Sequence, residues 1–427
     1  MPREAILILP NPETTRVLTQ QGRLPRVTTQ AAAYWQDVSW INAALGDHVA
    51  TLRCLSVLDE DLAAYVLTLR TSTWRPPRGY TWTQPLDVDP LPDADLIAAW
   101  LAWENQTQRN PSEPHWYRPE WFDSAEAWIE EALLENDLAA FSPITQQRAW
   151  QRSCVLAVDT NRGMHYFKAV PPMFAHEVRL SNSLHALFPQ HCPKPLAADP
   201  VRRWLLQADF GGRVLFTCTD PAIWEDALCA YAGLQIKLAE RLDLLANLGV
   251  PLRGERAIHD GLGALVLDRD ALQTGAVGLS DDEITDLQNS LGVRQAALAD
   301  LFAGPLPLTL DHGDFHSGNV MIHDDDVIFF DWSDSSITHP FFSLPFFMAE
   351  IHRELPGVDR QRLIEAYLRP WSDFAPLPEL RDLYDLAAQL AGLHGALYLY
   401  DRVLPGMFAP WEEASMLPYY LRMSMED

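Results

Sequence analysis

Lysine is nearly missing from this chain. Only Lys168, Lys194 and Lys237 occur in 427 residues. Lysine and arginine together number 32 against 58 aspartates and glutamates, for a net charge of −26. That deficit argues against nonspecific attraction to nucleic acid or to an anionic membrane surface. The acidic excess is spread along the chain and reads as a solubility feature, while remaining compatible with a cationic small-molecule partner. Cysteine is also scarce. Cys54, Cys154, Cys192, Cys218 and Cys229 are odd in number, scattered and without a Cys-x-x-Cys spacing. This speaks against a disulfide scaffold or a zinc site, and for a reduced, cytoplasmic compartment. No apolar run reaches membrane-spanning length, and the N-terminus lacks a charged-then-apolar signal segment. No internal repeat or low-complexity tract is present. A length of 427 residues predicts two or three structural units, and 48% hydrophobic residues suffice for a large core.

What the chain does have is concentrated between Leu310 and Trp332. Leu310-Asp311-His312-Gly313-Asp314-Phe315-His316-Ser317-Gly318-Asn319 is followed by Asp331-Trp332. Asn319 lies five residues after Asp314, and Asp331 twelve residues after Asn319. Phosphoryl transfer needs such a set: one carboxylate to orient a hydroxyl and accept its proton, and an amide oxygen plus a second carboxylate to hold Mg²⁺ on nucleotide phosphates. The intervening residues predict how the set converges. Val320-Met321-Ile322 and Val327-Ile328-Phe329-Phe330 read as strands, and His323-Asp324-Asp325-Asp326 as the polar turn of a β-hairpin. The hairpin would return Asp331 to the neighbourhood of Asn319.

A phosphate-binding cation is expected upstream. Lys168 ends the β-like run from Met164 to Val170, joined by the turn Asp159-Thr160-Asn161-Arg162-Gly163 to the run Cys154-Val155-Leu156-Ala157-Val158. A lysine in so arginine-rich a chain suggests a compact point charge that arginine cannot replace. Glu177 follows nine residues later, near the start of a predicted helix from Ala175 to Phe188. That spacing suits an ion pair that aims the lysine. The competing description is an exposed strand lysine and a first-turn glutamate favoured by the helix dipole.

His-Gly-Asp-x-His-x-x-Asn followed by Asp-Trp resembles the catalytic and metal-binding loops of the aminoglycoside phosphotransferase and choline kinase group. The resemblance covers roughly residues 140 to 425. It implies an α+β, bilobal protein-kinase-like fold with a small β-rich N-lobe and a helical C-lobe, preceded here by a small α+β N-terminal domain. It implies Asp314 as the catalytic residue, Asn319 and Asp331 as magnesium ligands, and Lys168 held by Glu177 on the phosphates of ATP or GTP. It places the adenine edge against backbone of the strand-to-linker passage at Leu206, Gln207 and Ala208, before the break Asp209-Phe210-Gly211-Gly212. The implied reaction moves a γ-phosphate to a hydroxyl of a small molecule such as an amino sugar, a sugar or an amino alcohol. Two departures stand out. No glycine lies between Pro143 and Cys154, so the phosphate-covering loop is unassigned, with Gln146 to Ser153 as candidates. After His339-Pro340-Phe341-Phe342 the chain has Ser343 where the family often has an acidic anchor.

These readings partition the chain into a domain over 1–110, a linker and helix over 111–139, an N-lobe over 140–208 and a helical C-lobe over 209–427. In the first part, Ala5–Leu9 and Arg16–Leu18 suggest a hairpin, Thr29–Ala44 and Asp93–Glu104 helices, and Ala50–Leu58 and Leu62–Arg70 strands. That β-β-α-β-β-α order resembles a Nudix-type module, but no Arg-Glu-x-x-Glu-Glu run supplies its catalytic box. Asn105–Pro119 reads as a linker and Ser124–Glu135 as a helix. Trp116, Trp121 and Trp128 suit aromatic packing better than a sugar platform. Ala222–Leu248, Asp281–Phe302, Phe346–Glu350, Arg360–Tyr367 and Leu380–Tyr400 read as C-lobe helices, with Asp334, Glu350 and Asp401 as acids that either face an acceptor pocket or serve surface and capping roles. His312 reads as a brace for the loop. His316 reads as a hydrogen-bonding partner within the loop or a group near the γ-phosphate. Two other classes fit parts of the pattern: a metal-dependent hydrolase using His312, His316, His323 and the nearby aspartates, and a non-catalytic, kinase-like nucleotide-binding protein.

Overall fold

The computed structural model describes residues 4–31, 33–46, 48–71, 73–88, 92–106, 110–273, 277–324 and 326–425. The chain divides into two compact units, Met1–Pro171 with Val201–Asp209, and Pro172–Pro200 with Phe210–Asp427.

The first unit opens with strands β1 (Glu4–Ile8), β2 (Val17–Gln20) and β3 (Arg26–Thr28), helix α1 (Ser39–Ala44), and strands β4 (Val49–Asp59), β5 (Leu62–Leu69) and β6 (Tyr80–Thr83). Helices α2 (Asp93–Glu104) and α3 (Pro119–Glu135) follow, then strands β7 (Thr145–Ala149), β8 (Cys154–Thr160) and β9 (Gly163–Ala169). The chain then passes through helix α4 (His176–Leu187) and strand β10 (Pro195–Asp199) of the second unit, and returns as β11 (Trp204–Ala208).

One sheet has the order β3-β1-β5-β4, with β1 parallel to β5 and the other pairs antiparallel. Ala5, Ile6, Leu7 and Ile8 are all fully buried, as expected of a central strand covered on both faces. The expected hairpin between Ala5–Leu9 and Arg16–Leu18 is reduced to a bridge between Pro10 and Val17, because β2 pairs with β6 instead. The expected helix Thr29–Ala44 is confined to Ser39–Ala44. Upstream of it the backbone is engaged elsewhere: the Asp37 carboxylate accepts the Tyr34 N–H at 3.1 Å, and the Tyr65 hydroxyl donates to the Trp35 carbonyl at 2.8 Å.

The second sheet of this unit runs β11-β9-β8-β7 with antiparallel pairing. The two sheets are joined through a side chain that behaves as backbone. Gln146 is buried on β7; its Nε2 donates to the Thr51 carbonyl at 2.9 Å, and its Oε1 accepts the Thr51 N–H at 2.8 Å and Asn42 Nδ2 at 3.0 Å. Behind β9 and β11, Trp121 and Trp128 of α3 meet Phe167 and Trp204 at centroid distances of 5.6–6.1 Å. These tryptophans are packing residues, and they brace the strand that carries Lys168. Alternation along a strand turns Phe167 into this cluster and Lys168 to the other face.

The second unit is mostly helical. Strand β12 (Arg213–Val214) precedes α5 (Pro221–Ala239), α6 (Leu242–Asn247), α7 (Glu255–Leu265), α8 (Arg269–Leu272) and α9 (Asp281–Ala303). The expected helix Ala222–Leu248 is thus broken after Ala239, before a second short helix. Strands β13 (Thr309–Asp311), β14 (Val320–His323), β15 (Asp326–Phe329) and β16 (Ser336–Thr338) come next, then α10 (Ser343–Ala349), α11 (Ile351–Glu354), α12 (Arg360–Leu368) and α13 (Leu377–Tyr398). No described helix is long and apolar enough to cross a membrane. All five cysteines are free thiols.

Candidate active site

The loop after β13 is held from behind by one helix. Tyr231 and Gln235, one turn apart on α5, are both fully buried. The Tyr231 hydroxyl accepts the His312 N–H at 3.0 Å, and Gln235 Nε2 donates to the Leu310 and Pro340 carbonyls at 3.2 Å each. The Tyr231 ring stacks on Phe315 at 4.0 Å. These contacts satisfy loop backbone groups that would otherwise be costly to bury.

His312 is fully buried. Its Nε2 lies 2.9 Å from the Phe330 carbonyl, and its ring is 4.6 Å from that of Trp332. Burial lowers its pKa, so it remains a neutral brace between the loop and the hairpin that follows. At Gly313 the backbone is left-handed, with φ +78°, and a Cβ would lie 2.1 Å from the Asp334 carbonyl. Only glycine allows the loops before and after the hairpin to touch there.

Asp314 follows with its carboxylate about half exposed. Asn319 is buried, and its Nδ2 donates to the Asp314 carbonyl at 2.9 Å and contacts Asp314 Oδ2 at 3.5 Å. That bond orients the amide, leaving its oxygen as the group available for a cation. Ser317 anchors the same turn by donating to Glu354 Oε2 of α11 at 2.5 Å. His316 accepts the Gly318 N–H on Nδ1 at 3.0 Å, with Nε2 3.7 Å from Asp314 Oδ2. Burial alone would lower the His316 pKa, but the hydrogen bond and charge of Asp314, aided by Asp331 and Glu354, outweigh it and raise the value above the ordinary one.

The hairpin forms as expected, with Val320 opposite Phe329 and His323 opposite Asp326. Asp324 takes up a left-handed turn conformation, while Asp325 lies outside the described residues. The Phe330 N–H donates to the Asn319 carbonyl at 3.3 Å, so Asn319 and Asp331 flank the open end of the hairpin. Asp331 has φ +64°, a rare backbone state for a residue with a side chain, and one that concentrates at functional sites. Ser333 Oγ lies 2.9 Å from Asp331 Oδ1 and 2.9 Å from Glu177 Oε2. Glu177 is buried in the first turn of α4. The second unit therefore brings Asp314, Asn319, Asp331 and Glu177 together. Oxygen ligands of this kind, an amide and a carboxylate, suit a hard cation such as Mg²⁺.

Lys168 belongs to the first unit, half-buried on β9 opposite Val155 of β8 and Leu205 of β11. Leu206, Gln207 and Ala208 lie on β11 opposite Phe167, Tyr166 and His165. The glycine-free segment before β8 is not a loop over most of its length: it forms strand β7 and then a tight turn over 150–153. The Trp150 N–H donates to the Ser153 carbonyl at 3.1 Å, the Trp150 carbonyl accepts Trp116 Nε1 at 2.8 Å, and the Trp150 and Trp35 rings meet edge-on at 5.8 Å.

Behind the loop sits a group that the sequence did not reveal as special. Asp311 is buried, hydrogen-bonded by the Ser343 hydroxyl and by the Gly313 N–H at 3.2 Å. Desolvation pushes its carboxyl up to about 7, against the lowering effect of those bonds. Ser343 thus connects the segment after the hairpin to an acid on β13, the strand that leads into the Asp314 loop. Ser333, Glu354 and Tyr231 were equally unmarked, since isolated polar residues acquire a role only through their partners. The other acids singled out have local engagements. Asp401 pairs with Arg253 at 2.8 Å, Glu350 pairs with Arg353 at 2.7 Å, and Asp334 is buried beside Gly313.

The histidines do not converge. His312 faces Trp332, His316 faces its own loop, and His323 lies at the turn end of the hairpin. Among the described residues, no group of three or more His, Cys, Asp or Glu side chains is placed to hold a metal. A magnesium pair of one amide and one carboxylate does not require such a group.

A profile described as phosphotransferase enzyme family matches residues 159–384. Choline kinase from Cryptosporidium parvum Iowa II is similar in structure, with a TM-score of 0.51 at 12% identity, over 70% of this chain and 95% of that one. A macrolide 2′-phosphotransferase from Brachybacterium faecium gives 0.47 at 16% identity, over 69% and 97%. Aminoglycoside 2′-phosphotransferase-IIIa, in a complex with GDP, gives 0.45 at 12% identity, over 70% and 98%. No curated protein matches the chain.

Proposed function

Because this chain belongs to the phosphotransferase enzyme family, we infer that it transfers the γ-phosphoryl group of ATP or GTP to a hydroxyl of a small molecule. The observation that carries the reading is the Asn319 amide bonded to Asp314 at 2.9 Å, at the open end of a hairpin that returns Asp331 to the same loop. In this reading Asp314 accepts a hydrogen bond from the acceptor hydroxyl and takes its proton as the new O–P bond forms and the β–γ bridge breaks. The products are a phosphate monoester and a nucleoside diphosphate. Asn319 Oδ1 and the Asp331 carboxylate are the groups that would hold Mg²⁺, which supplies charge neutralisation on the phosphate oxygens. Ser333 holds the Asp331 carboxylate, Ser317 and Glu354 hold the turn that carries Asn319, and His312 stays neutral as a brace. Lys168 is assigned to the nucleotide phosphates with Glu177 as its ion-pair partner, and the backbone of Leu206–Ala208 to the base.

The acceptor is assigned only by class, a hydroxylated small molecule of neutral or cationic character. The test is nucleotide consumption with Mg²⁺ across amino sugars, sugars, choline-like amines and nucleosides, together with thermal melting. Mg-ATP or Mg-GTP is expected to raise the melting temperature of the wild type, and Asp331→Ala to abolish that effect. Undiminished stabilisation of the variant by the metal complex would remove Asp331 from the metal site.

A further inference from the structure

Asp311 has no part in the transfer chemistry described so far, and its place in the fold is unusual for an acid. It is buried on β13, three residues before Asp314. Arg253, the cation whose charge favours its ionised form, is ion-paired with Asp401 at 2.8 Å. A buried acid without a cation of its own weakens a fold at neutral pH, and residues that break a folding rule in this way concentrate at functional sites.

Its carboxylate reaches both the Asp314 loop and the support behind it. Oδ2 accepts the Gly313 N–H at 3.2 Å, and Oδ1 accepts the Ser343 hydroxyl of α10. The Tyr231 hydroxyl donates to Ser343 Oγ at 3.5 Å and accepts the His312 N–H at 3.0 Å. One buried network therefore holds the two successive amides that precede Asp314. At position 343, noted above as a departure, the hydroxyl supplies the proton, and the acid of the pair stands on β13 instead. Gly313 is also where the loops before and after the hairpin meet, since a Cβ there would lie 2.1 Å from the Asp334 carbonyl. Asp331 has its own holds in Ser333 and the hairpin. A shift of Gly313 away from Asp311 would thus move Asp314 relative to Asp331.

We propose that Asp311 is a positioning residue for the transfer reaction: its side chain, held by Ser343, fixes Gly313 and through it the direction of Asp314 against Asp331. The role depends on Asp314 being the base. It requires the two hydrogen bonds rather than the charge. An amide at 311 can accept the Gly313 N–H on its oxygen and donate to Ser343 Oγ, so asparagine can replace the acid. An apolar side chain of similar volume leaves the Gly313 N–H and the Ser343 hydroxyl without that acceptor. Misplacing a reacting group by about 1 Å can lower a rate by roughly 10²-fold.

The test compares Asp311→Leu and Asp311→Asn in the full chain. Leu421→Ala serves as a destabilised control, a fully buried residue on the C-terminal helix Met416–Met423. Well below every melting transition, three quantities are read: amide exchange of the peptide 310–319 by mass spectrometry, kcat, and KM for the nucleotide. Asp311→Leu is expected to speed exchange of that peptide by at least about tenfold, the scale of one lost hydrogen bond. It is expected to lower kcat by at least about tenfold with nucleotide KM within about twofold of the wild type. Asp311→Asn is expected to stay within about threefold of the wild type in all three. Leu421→Ala is expected to lower the melting temperature and leave exchange of the peptide and kcat unchanged. Should Asp311→Leu fail to fold, Ser343→Ala, which removes the hydroxyl that holds the carboxylate, is expected to move exchange and kcat in the same direction. Unchanged exchange or kcat in whichever of these two variants folds, an equal loss in Asp311→Asn, or an equal loss of kcat in Leu421→Ala would each overturn the proposal. Exchange needs no acceptor substrate. A wild type without turnover would therefore count against the phosphotransferase reading, while the exchange result would still decide whether Asp311 anchors the loop.

Discussion

Glu177 and Asp331, 154 positions apart in the chain, meet at one hydroxyl: Ser333 Oγ is 2.9 Å from a carboxylate oxygen of each. A hydroxyl carries one proton and donates to one acceptor at a time. Two carboxylates converging on it concentrate negative charge at the end of the hairpin. The hydroxyl bonds the Asp331 carboxylate, and if Asp331 holds the metal as proposed, loss of such an orienting partner costs about 10–100-fold in metal affinity. Ser333→Ala is expected to raise the Mg²⁺ concentration needed for half-maximal turnover by about tenfold, with a smaller change in turnover at saturating metal. Metal titration of the rate checks this; an unchanged Mg²⁺ requirement would show that Ser333 does not position Asp331.

Asp314 carries the proton transfer in the proposed mechanism, and asparagine keeps the shape of its side chain while removing the basic oxygen. Asn319 bonds chiefly to the Asp314 carbonyl, which a side-chain substitution leaves in place. Asp314→Asn is therefore expected to keep nucleotide affinity while lowering kcat by at least roughly 10²-fold. Binding by calorimetry and turnover by nucleotide consumption separate the two effects. A variant with wild-type kcat would exclude Asp314 as the base.

Lys168 is one of three lysines among far more numerous arginines. The proposed role requires a compact ammonium, aimed by a carboxylate and kept protonated by it. Lys168→Arg keeps the charge but adds a larger, planar head. A loss of kcat/KM for the nucleotide of about tenfold or more is expected, and Glu177→Gln should fall in the same direction. Normal steady-state kinetics in both variants would sink the assignment.

Asp311 makes stability depend on pH in a defined sense. Burial raises its folded-state pKa from 3.8 to about 7. Between those values the folded protein binds a proton that the unfolded chain has released, so this group's contribution to stability falls as pH rises from about 4 to about 7 and is level beyond. Asp311→Asn keeps the shape and cannot ionise. It is expected to match the wild type near pH 4 and to exceed it above pH 7 by roughly 4 kcal/mol. Chemical denaturation of both proteins across that range measures the difference. A difference independent of pH would show that Asp311 is ionised in the fold throughout.

Local order was legible in the sequence wherever residue type and spacing act over a few neighbours. The hairpin from Val320 to Phe329, the strand pair that carries Lys168 and the helix that carries Glu177 follow from apolar runs, turn residues and helical periodicity, because backbone preference and one-sided burial are set within a handful of residues. The Asp314, Asn319 and Asp331 set was legible because its members flank a single hairpin. Tertiary structure alone decided the rest. Tyr231 and Gln235 look like ordinary interior positions of a helix until Leu310 and His312 are folded against them. Gln146 reads as a loop residue until its amide fills a place beside Thr51. Asp311 is one acid among many until burial removes its water, and Ser333 has no visible task until Glu177 arrives from another helix. Local sequence sets backbone preference, but the partners and the dielectric around a polar side chain come from residues far away in the chain, and these determine whether it is spectator, brace or reactive group.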